Sequence, residues 1–471
     1  MRIFDTMLQV NPKEILDKIE KGDLVEYNQI IVDGYLDLSN LNLQQKTIPI
    51  TNEDQRTLGI SENKKVIKSI IKITNSIIKW IKCKDLIFIS SIELSGTIFQ
   101  EPADFRGTVF CCPTSFMQSV FFQAYFQGAK FCEEAIFKCV EFKTHADFHR
   151  IVACKNFDFI NARFGIEPNQ FSRGVTFNGA EFFGESKFDN SIINVYADFR
   201  EASFKNAVHF NGTIFLNEAS FDKAKFDKYT AFLGAKFCKA ANFVGSIFVY
   251  NVTFMDALFE RKVDFSNATF QGIVSFMDTR FLGESFNFRD SSFKFPKDEE
   301  AACAKAKKIF NDQGKKEEAD YHFFREMDAR RRQKGIRGNS GLSLWDCLKT
   351  DAWSFWKFFF YDVLELCFVR YIFAYGVNPK RLIISWGGFV FLFGLFYWYE
   401  NAIIGAADLL DYIRVSFAIS IAPGYIAAII NPASDGYKLI PAFQIAAMIQ
   451  TIIGTFLWAG FIATFARKYM R

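Results

Sequence analysis

Between residues 177 and 281 a large apolar side chain recurs at alternating intervals of five and six residues: Phe199, Phe204, Phe210, Phe215, Phe221 and so on. All twenty beat positions in that stretch are Phe except Ile193, and the residue two before each beat is Ala, Val, Ser or Thr. A helix face recurs every three or four residues and a strand face every two, so neither element sustains this rhythm. The pattern predicts a repeat of short extended pieces, each with one large and one small residue facing inward, joined by turns. Charged pairs between the beats, such as Arg200-Glu201 and Asp222-Lys223, belong outside. Each unit can bury its ring only against the same ring of its neighbour.

With its eleven-residue double units such as "ADFREASFKNA" (197–207), the stretch resembles the pentapeptide-repeat family in its Phe-centred variant. The resemblance covers roughly 92–295, with an outlying Leu-based piece at "GYLDLSNLNL" (34–43). It implies a right-handed quadrilateral β-helix with about 22 residues per coil. Eight to nine coils at strand spacing make a rod of roughly 40 Å. The beat falters at 148–177, where Phe148 to Phe159 skips a step and "GIEPNQ" adds residues, and a surface loop is expected there.

The pattern changes after the repeat. Residues 299–337 are rich in helix formers broken at Gly314 and predict a helical hairpin that ends in the basic run "RRRQK". Residues 345–376 mix Trp, Tyr and Phe with charges, as a helix lying in a membrane interface does. Then "LIISWGGFVFLFGLFYWY" (382–399) and "LIPAFQIAAMIQTIIGTFLWAGFIATFA" (439–466) run without a charge, each long enough with its flanks to cross a bilayer core of about 30 Å. Between them, 409–430 is apolar but interrupted by Pro423-Gly424, which predicts a half-inserted helix and an extended return. Lys380 and Arg381 before the first span, and Arg467, Lys468 and Arg471 after the second, put both termini on the cytoplasmic side. Two spans around a re-entrant loop form an incomplete wall, so several copies are expected around a shared axis.

This last third resembles the two-transmembrane potassium-channel-like pore family: a first helix at 382–400, a pore helix near 409–420, a filter-like loop, "INP", and a long second helix. The resemblance implies a homotetramer in the cell membrane that passes inorganic ions. The filter-like residues are Ser420, Ile421, Ala422, Pro423, Gly424 and Tyr425. Where potassium filters carry a Thr-rich run ending Gly-Tyr-Gly, this chain has "SFAISIAPGYIA", and a proline forbids the alternating carbonyls that strip water from potassium. Weak discrimination among monovalent cations is therefore expected. Gln444, Met448, Thr451, Thr455, Trp458 and Ile462 form a stripe at helical spacing, read as a pore lining, with helix-to-helix hydrogen bonding as its alternative. Asp408, Asp411 and Asp435 stand at the rims.

Composition narrows the remaining classes. The 471 residues carry a net charge of +4, and residues 97–295 hold 22 acidic against 21 basic side chains. That balance argues against a DNA-mimicking topoisomerase inhibitor, a role known among pentapeptide-repeat proteins, and nucleic acid is not an expected partner. The ten cysteines lack CxxC spacing and read as free thiols of a reducing compartment. His145 and His149 are four apart beside Cys139 and Cys154, but strand-and-turn context denies them helical ligand geometry. No P-loop, HExxH, GxSxG or GxGxxG occurs, so neither an enzyme nor a cofactor is expected. The domains expected are a helical cap (1–30), a β-helix (31–296, with an insertion at about 46–85), a charged helical linker (297–340), an interfacial amphipathic helix (341–378) and an α-helical two-transmembrane pore domain (379–471). A non-conducting, membrane-anchored interaction scaffold is the other reading of the same pattern.

Overall fold

Residues from Leu8 to Phe293 wind into a parallel β-solenoid of about 13 turns. The computed structural model describes residues 7–167, 174–283, 285–334, 370–422, 425, 430 and 436–469, and the chain divides into two units, Met1–Lys316 and Glu317–Arg471. In the mid-rod most strands are two residues long, and each pairs in parallel with the strand 22 residues before it and the strand 22 after. Thus Ser203–Phe204 lies between Glu181–Phe182 and Lys225–Phe226. Four such ladders run along the rod, exemplified by Ile214–Phe215, Ala219–Ser220, Lys225–Phe226 and Thr230–Ala231, so each coil has four sides. This winding and its regular Phe spacing are consistent with a pentapeptide-repeat β-helix.

The rhythm follows from how the rings pack. From Phe177 to Phe270 every beat residue is at most 1% exposed. Phe199 stacks flat on Phe177 and Phe221 with ring centroids 4.9 Å away on both sides, and meets Phe210 edge-on at 5.4 Å and 87°. Flat stacking along a column and edge-to-face contact between columns are the favoured arrangements of aromatic pairs. The small residue two before each ring, such as the fully buried Ala197, leaves the ring its room. Alternate corners close with a left-handed residue two after the ring. Gly212, Gly234 and Gly245 adopt that conformation freely, while Glu201 and Lys223 adopt it at φ 59° and 56°. Asp104 and Asp198, just before their rings, accept from the backbone N–H groups of Arg106 and Arg200 and pair with those guanidinium groups at 2.7 Å.

The skipped beat after Phe148 involves no loop. Strand Val152–Ala153 stays in register between Lys130–Phe131 and Glu181–Phe182. Ala153 leaves a ring-sized gap, and Phe157, at a position otherwise held by a small residue, fills it: its ring lies 5.2 Å from Phe131 and 5.6 Å from Phe182. The added residues come later. Partner offsets rise from 22 to 29 for Ala153–Phe182 and Phe164–Ile193 and return to 22 at Val175–Ala197, so seven extra residues lie between Phe164 and Val175. Residues 168–173 of that insertion lie outside the described residues.

The solenoid also begins earlier than the Phe rhythm announces. Strands Asn63–Ile67, Ile71–Thr74, Ile77–Lys82 and Leu86–Phe88 belong to the ladders, so most of the insertion expected at 46–85 is coil. What departs from the winding is narrower: an antiparallel pair, Gln45–Thr47 with Asn63–Lys65, and helix α2 (Asn52–Leu58). These first coils are filled by Ile67, Ile71, Ile73, Ile78 and Ile81 instead of Phe, which is why the count of coils from Phe alone falls short of 13.

Both solenoid ends are covered. Helix α1 (Pro12–Lys21), capped by the Asn11 side chain, lays Ile15 and Ile19 over Leu36, Ile71 and Ile73. At the other end α3 (Pro296–Asp312) buries Ala302, Cys303, Ala306 and Phe310. Its Asp298 accepts from the Val274 N–H at 2.8 Å, its Lys305 donates to the Phe276 carbonyl, and burial holds the Asp298 carboxyl above the usual carboxylate range. Covering the terminal coils occupies backbone groups that would otherwise template another chain.

In the second unit, α4 (Lys316–Lys334) carries Asp328, which gathers Arg331, Arg332 and Arg370 within 3.4 Å. Two long helices follow, α5 (Pro379–Tyr399) and α7 (Gln444–Tyr469), with the shorter α6 (Leu409–Ile421) between them. Of the interfacial helix expected over 341–378, the part up to 369 lies outside the described residues.

Candidate functional site in the C-terminal helices

Asn378 caps α5 by accepting from the Lys380 N–H at 3.1 Å, and Pro379 opens its first turn. The helix Pro379–Tyr399 and the stretch Pro441–Ala466 are long and apolar enough to cross a membrane. Only 22% and 28% of their most apolar windows are buried, so within the chain most of that apolar surface faces outward. A core helix of a water-soluble domain would hide it.

Helix α6 has 13 residues. At 1.5 Å per residue that is roughly 20 Å, too short to cross the hydrocarbon core. Asp408 caps it by accepting from the Asp411 N–H at 3.0 Å, and the Asp411 carboxylate accepts from the Ala407 N–H at 3.0 Å. Asp411 also lies 3.3 Å from Arg414. The two rim carboxylates therefore hold the helix start, and Asp435 lies outside the described residues.

The segment leaves and returns at one level. Ile403–Ile404 pairs antiparallel with Lys438–Leu439, and the Ile440 N–H reaches the Ala402 carbonyl at 2.9 Å, joining the end of α5 to the approach to α7. From that base α6 descends between the long helices. Ile413 packs against Gly394, the Ser416 hydroxyl donates to the Val390 carbonyl at 2.7 Å, and Phe417 meets Trp386 at 5.2 Å. On the other side Ser416 meets Gln450, Ile419 meets Thr451, and Ser420 meets Gly454. The last turn of α6 thus lies beside Trp386 of α5 and Gly454 of α7.

A buried polar network ties the three helices. The Gln450 amide donates to the Ser416 carbonyl at 2.9 Å and the Ser416 hydroxyl at 2.6 Å, and its oxygen accepts from the Tyr397 hydroxyl at 2.9 Å. Around it pack Tyr412, Val415, Ile419, Ile403, Leu439 and Ala447. At Gly454 an added Cβ would lie 2.6 Å from the Ser420 carbonyl oxygen and 2.9 Å from its Cα, so only glycine permits this approach.

The structure distributes the expected site residues unevenly. Thr451 is buried and donates to the Ile419 and Ala447 carbonyls, the helix-to-helix bond that was the alternative reading of the stripe. Met448, Thr455 and Ile462 are exposed on one side of α7, and Gln444 and Trp458 are half-buried. Ser420 and Ile421, expected in the filter-like loop, instead belong to the last turn of α6, where continued i-to-i−4 backbone bonding keeps them helical: Ser420 is buried with its hydroxyl on the Phe417 carbonyl, Ile421 is half-buried, and Ala422 just beyond is exposed. Tyr425 packs against the apolar cluster and, like Ile430, is helical where the sequence predicts an extended return, and Pro423 and Gly424 lie outside the described residues. Tyr397, Ser416 and Gln450 are not among the residues expected from the sequence. For Gln450 the chain does carry a signal: Ala447, Gln450, Gly454 and Leu457 recur at three, four and three, a small-polar-small face beside the predicted lining stripe.

No protein-family model matches the chain, and neither a curated protein nor a solved structure matches it.

Proposed function

We propose that the second unit forms the pore of an oligomeric membrane channel, weakly selective for monovalent cations, whose β-solenoid is a cytoplasmic rod for assembly or sensing. The observation that carries the reading is α6. It is a capped helix too short to span, seated between two span-length helices, and its flanking chain enters and leaves at the same level. Polar backbone at the α6 terminus would be tolerated at membrane depth only against a cavity or buried in protein. One copy supplies one side of such a cavity, and identical copies around an axis supply the rest. Met448, Thr455 and Ile462 are exposed on the single chain and available to face that axis.

Selectivity follows from the lining. The filter-like segment, Ser420 and Ile421 at the end of α6 followed by Ala422 to Tyr425, offers the hydroxyls of Ser420 and Tyr425, apolar side chains and the carbonyls around Pro423. That is too few ordered oxygens to replace a potassium hydration shell, so ions would pass partly hydrated. The scaffold reading has an observation of its own, since the Gln450 and Thr451 polar groups are satisfied within the chain. Light scattering of the full-length protein in several mild detergents separates the two. The channel reading expects particles of about four chain masses. Monomers in every detergent would overturn it.

A further inference from the structure

Three cysteines stand one above another on consecutive coils of the rod. Strands Val109–Phe110, Lys130–Phe131 and Val152–Ala153 are direct ladder partners, and each is followed by a cysteine: Cys111, Cys132 and Cys154. Their backbone N–H groups bond to the carbonyls of Phe88, Phe110 and Phe131 at 2.9, 2.8 and 2.8 Å, so all three continue the same register. Because the preceding residue points inward, these side chains lie on the outer surface at a corner. All three are free thiols of intermediate exposure. The apolar Ile89 and Phe183, both exposed, occupy the same register on the rungs before and after them. Nothing in the packing requires thiols in this column: further along it the equivalent positions are Lys205, Asp227 and Val249.

We propose that Cys111 and Cys132 are a peroxide-oxidisable pair that closes into a reversible disulfide between adjacent coils, with Cys154 as the alternative partner of Cys132. Equivalent residues on neighbouring parallel strands have Cα atoms about 4.8 Å apart, inside the roughly 4.4–6.8 Å span of disulfides. The ladder register sets the Cys111 and Cys132 side chains side by side on adjacent rungs. Burial first, and then the flanking Cys111 and Cys154, push the Cys132 thiol up to about 11, so it is protonated at neutral pH and is the resolving group. In the first step the Cys111 sulfur attacks a peroxide oxygen and the O–O bond breaks. Sulfur is oxidised to the sulfenic acid, and the other oxygen leaves, protonated, as water or an alcohol. In the second step the Cys132 sulfur displaces the sulfenic hydroxyl, which leaves as water with the Cys132 proton, and the S–S bond forms. Parallel side-chain vectors on adjacent rungs hold the Cβ atoms wider than an unstrained disulfide prefers, which makes the bond easy to reduce.

The test treats the full-length protein with hydrogen peroxide, blocks remaining thiols with N-ethylmaleimide, and maps peptides by mass spectrometry. Expected is a Cys111–Cys132 or Cys132–Cys154 linkage that dithiothreitol reverses. Cys132→Ser should lower rung-to-rung linkage at least tenfold, and Cys111→Ser should move it to Cys132–Cys154. The proposal is overturned if all three thiols are still alkylated at a dose that oxidises the exposed Cys139. Linkage that persists undiminished in Cys132→Ser would overturn it as well.

Discussion

Gly454→Leu is expected to abolish the current of the full-length protein and leave unfolding of the rod unchanged. Any side chain at residue 454 meets the Ser420 backbone, with contacts of 2.6–2.9 Å for the first carbon alone. Backbone cannot rotate away as a side-chain tip can, so α6 must shift or leave its seat. Overpacking of this kind costs about 1–3 kcal/mol in ordinary cores, and more where backbone is the obstacle. The displacement would also break the Gln450 bonds to Ser416, leaving buried polar groups without partners at about 1–3 kcal/mol each. Because Ser420 opens the filter-like segment, the account places its effect on conduction. Single-channel recording of Gly454→Leu beside the parent checks it, and a parent-like current would show that the seat of α6 does not shape the passage.

Phe226→Asp should have the largest effect on the rod. Phe226 is 1% exposed and stacks on Phe204 at 5.2 Å and Phe248 at 4.8 Å. The substitution removes both stacked contacts and the tilted contact with Phe221, opens a cavity and puts a carboxylate among aromatic rings without a cation. Such changes fall in the class above about 4 kcal/mol. In a one-dimensional stack the loss spreads to neighbouring coils. Thermal unfolding of residues 1–316 should fall by roughly 10 °C or lose cooperativity, while Glu218→Gln, at an exposed position, should change little. Equal unfolding of the two variants would contradict the interior role of the beat.

These two sites also show which parts of the molecule can be read from the chain. The rod is legible because every coil repeats the same packing problem, so twenty consecutive positions carry one signal. Legibility fails where the chemistry of the filler changes: the Ile-based coils at 63–88 bury as well as Phe coils but break the visible period. At Ala153 and Phe157 the large and small positions exchange, and a pattern matched position by position reports a gap where the core is full. In the second unit, the short helix expected near 409–420 spans Leu409–Ile421, since its length and its breakers are local features. Which face of α7 it meets is not local. Gln450 and Thr451 are neighbours in an apolar run, and partner geometry alone decides that both turn toward α6.

The central claim, a weakly selective cation pore, is tested most directly by the reversal potential of single channels in a planar bilayer when sodium replaces potassium on one side. The account predicts potassium and sodium permeabilities within roughly threefold of each other, a difference below about 1 kcal/mol. It therefore predicts a shift far smaller than the potassium equilibrium value. A shift near that full value would contradict the reading of the Ser420–Tyr425 segment, and the absence of current under voltage, tension and added ligands would contradict the pore itself.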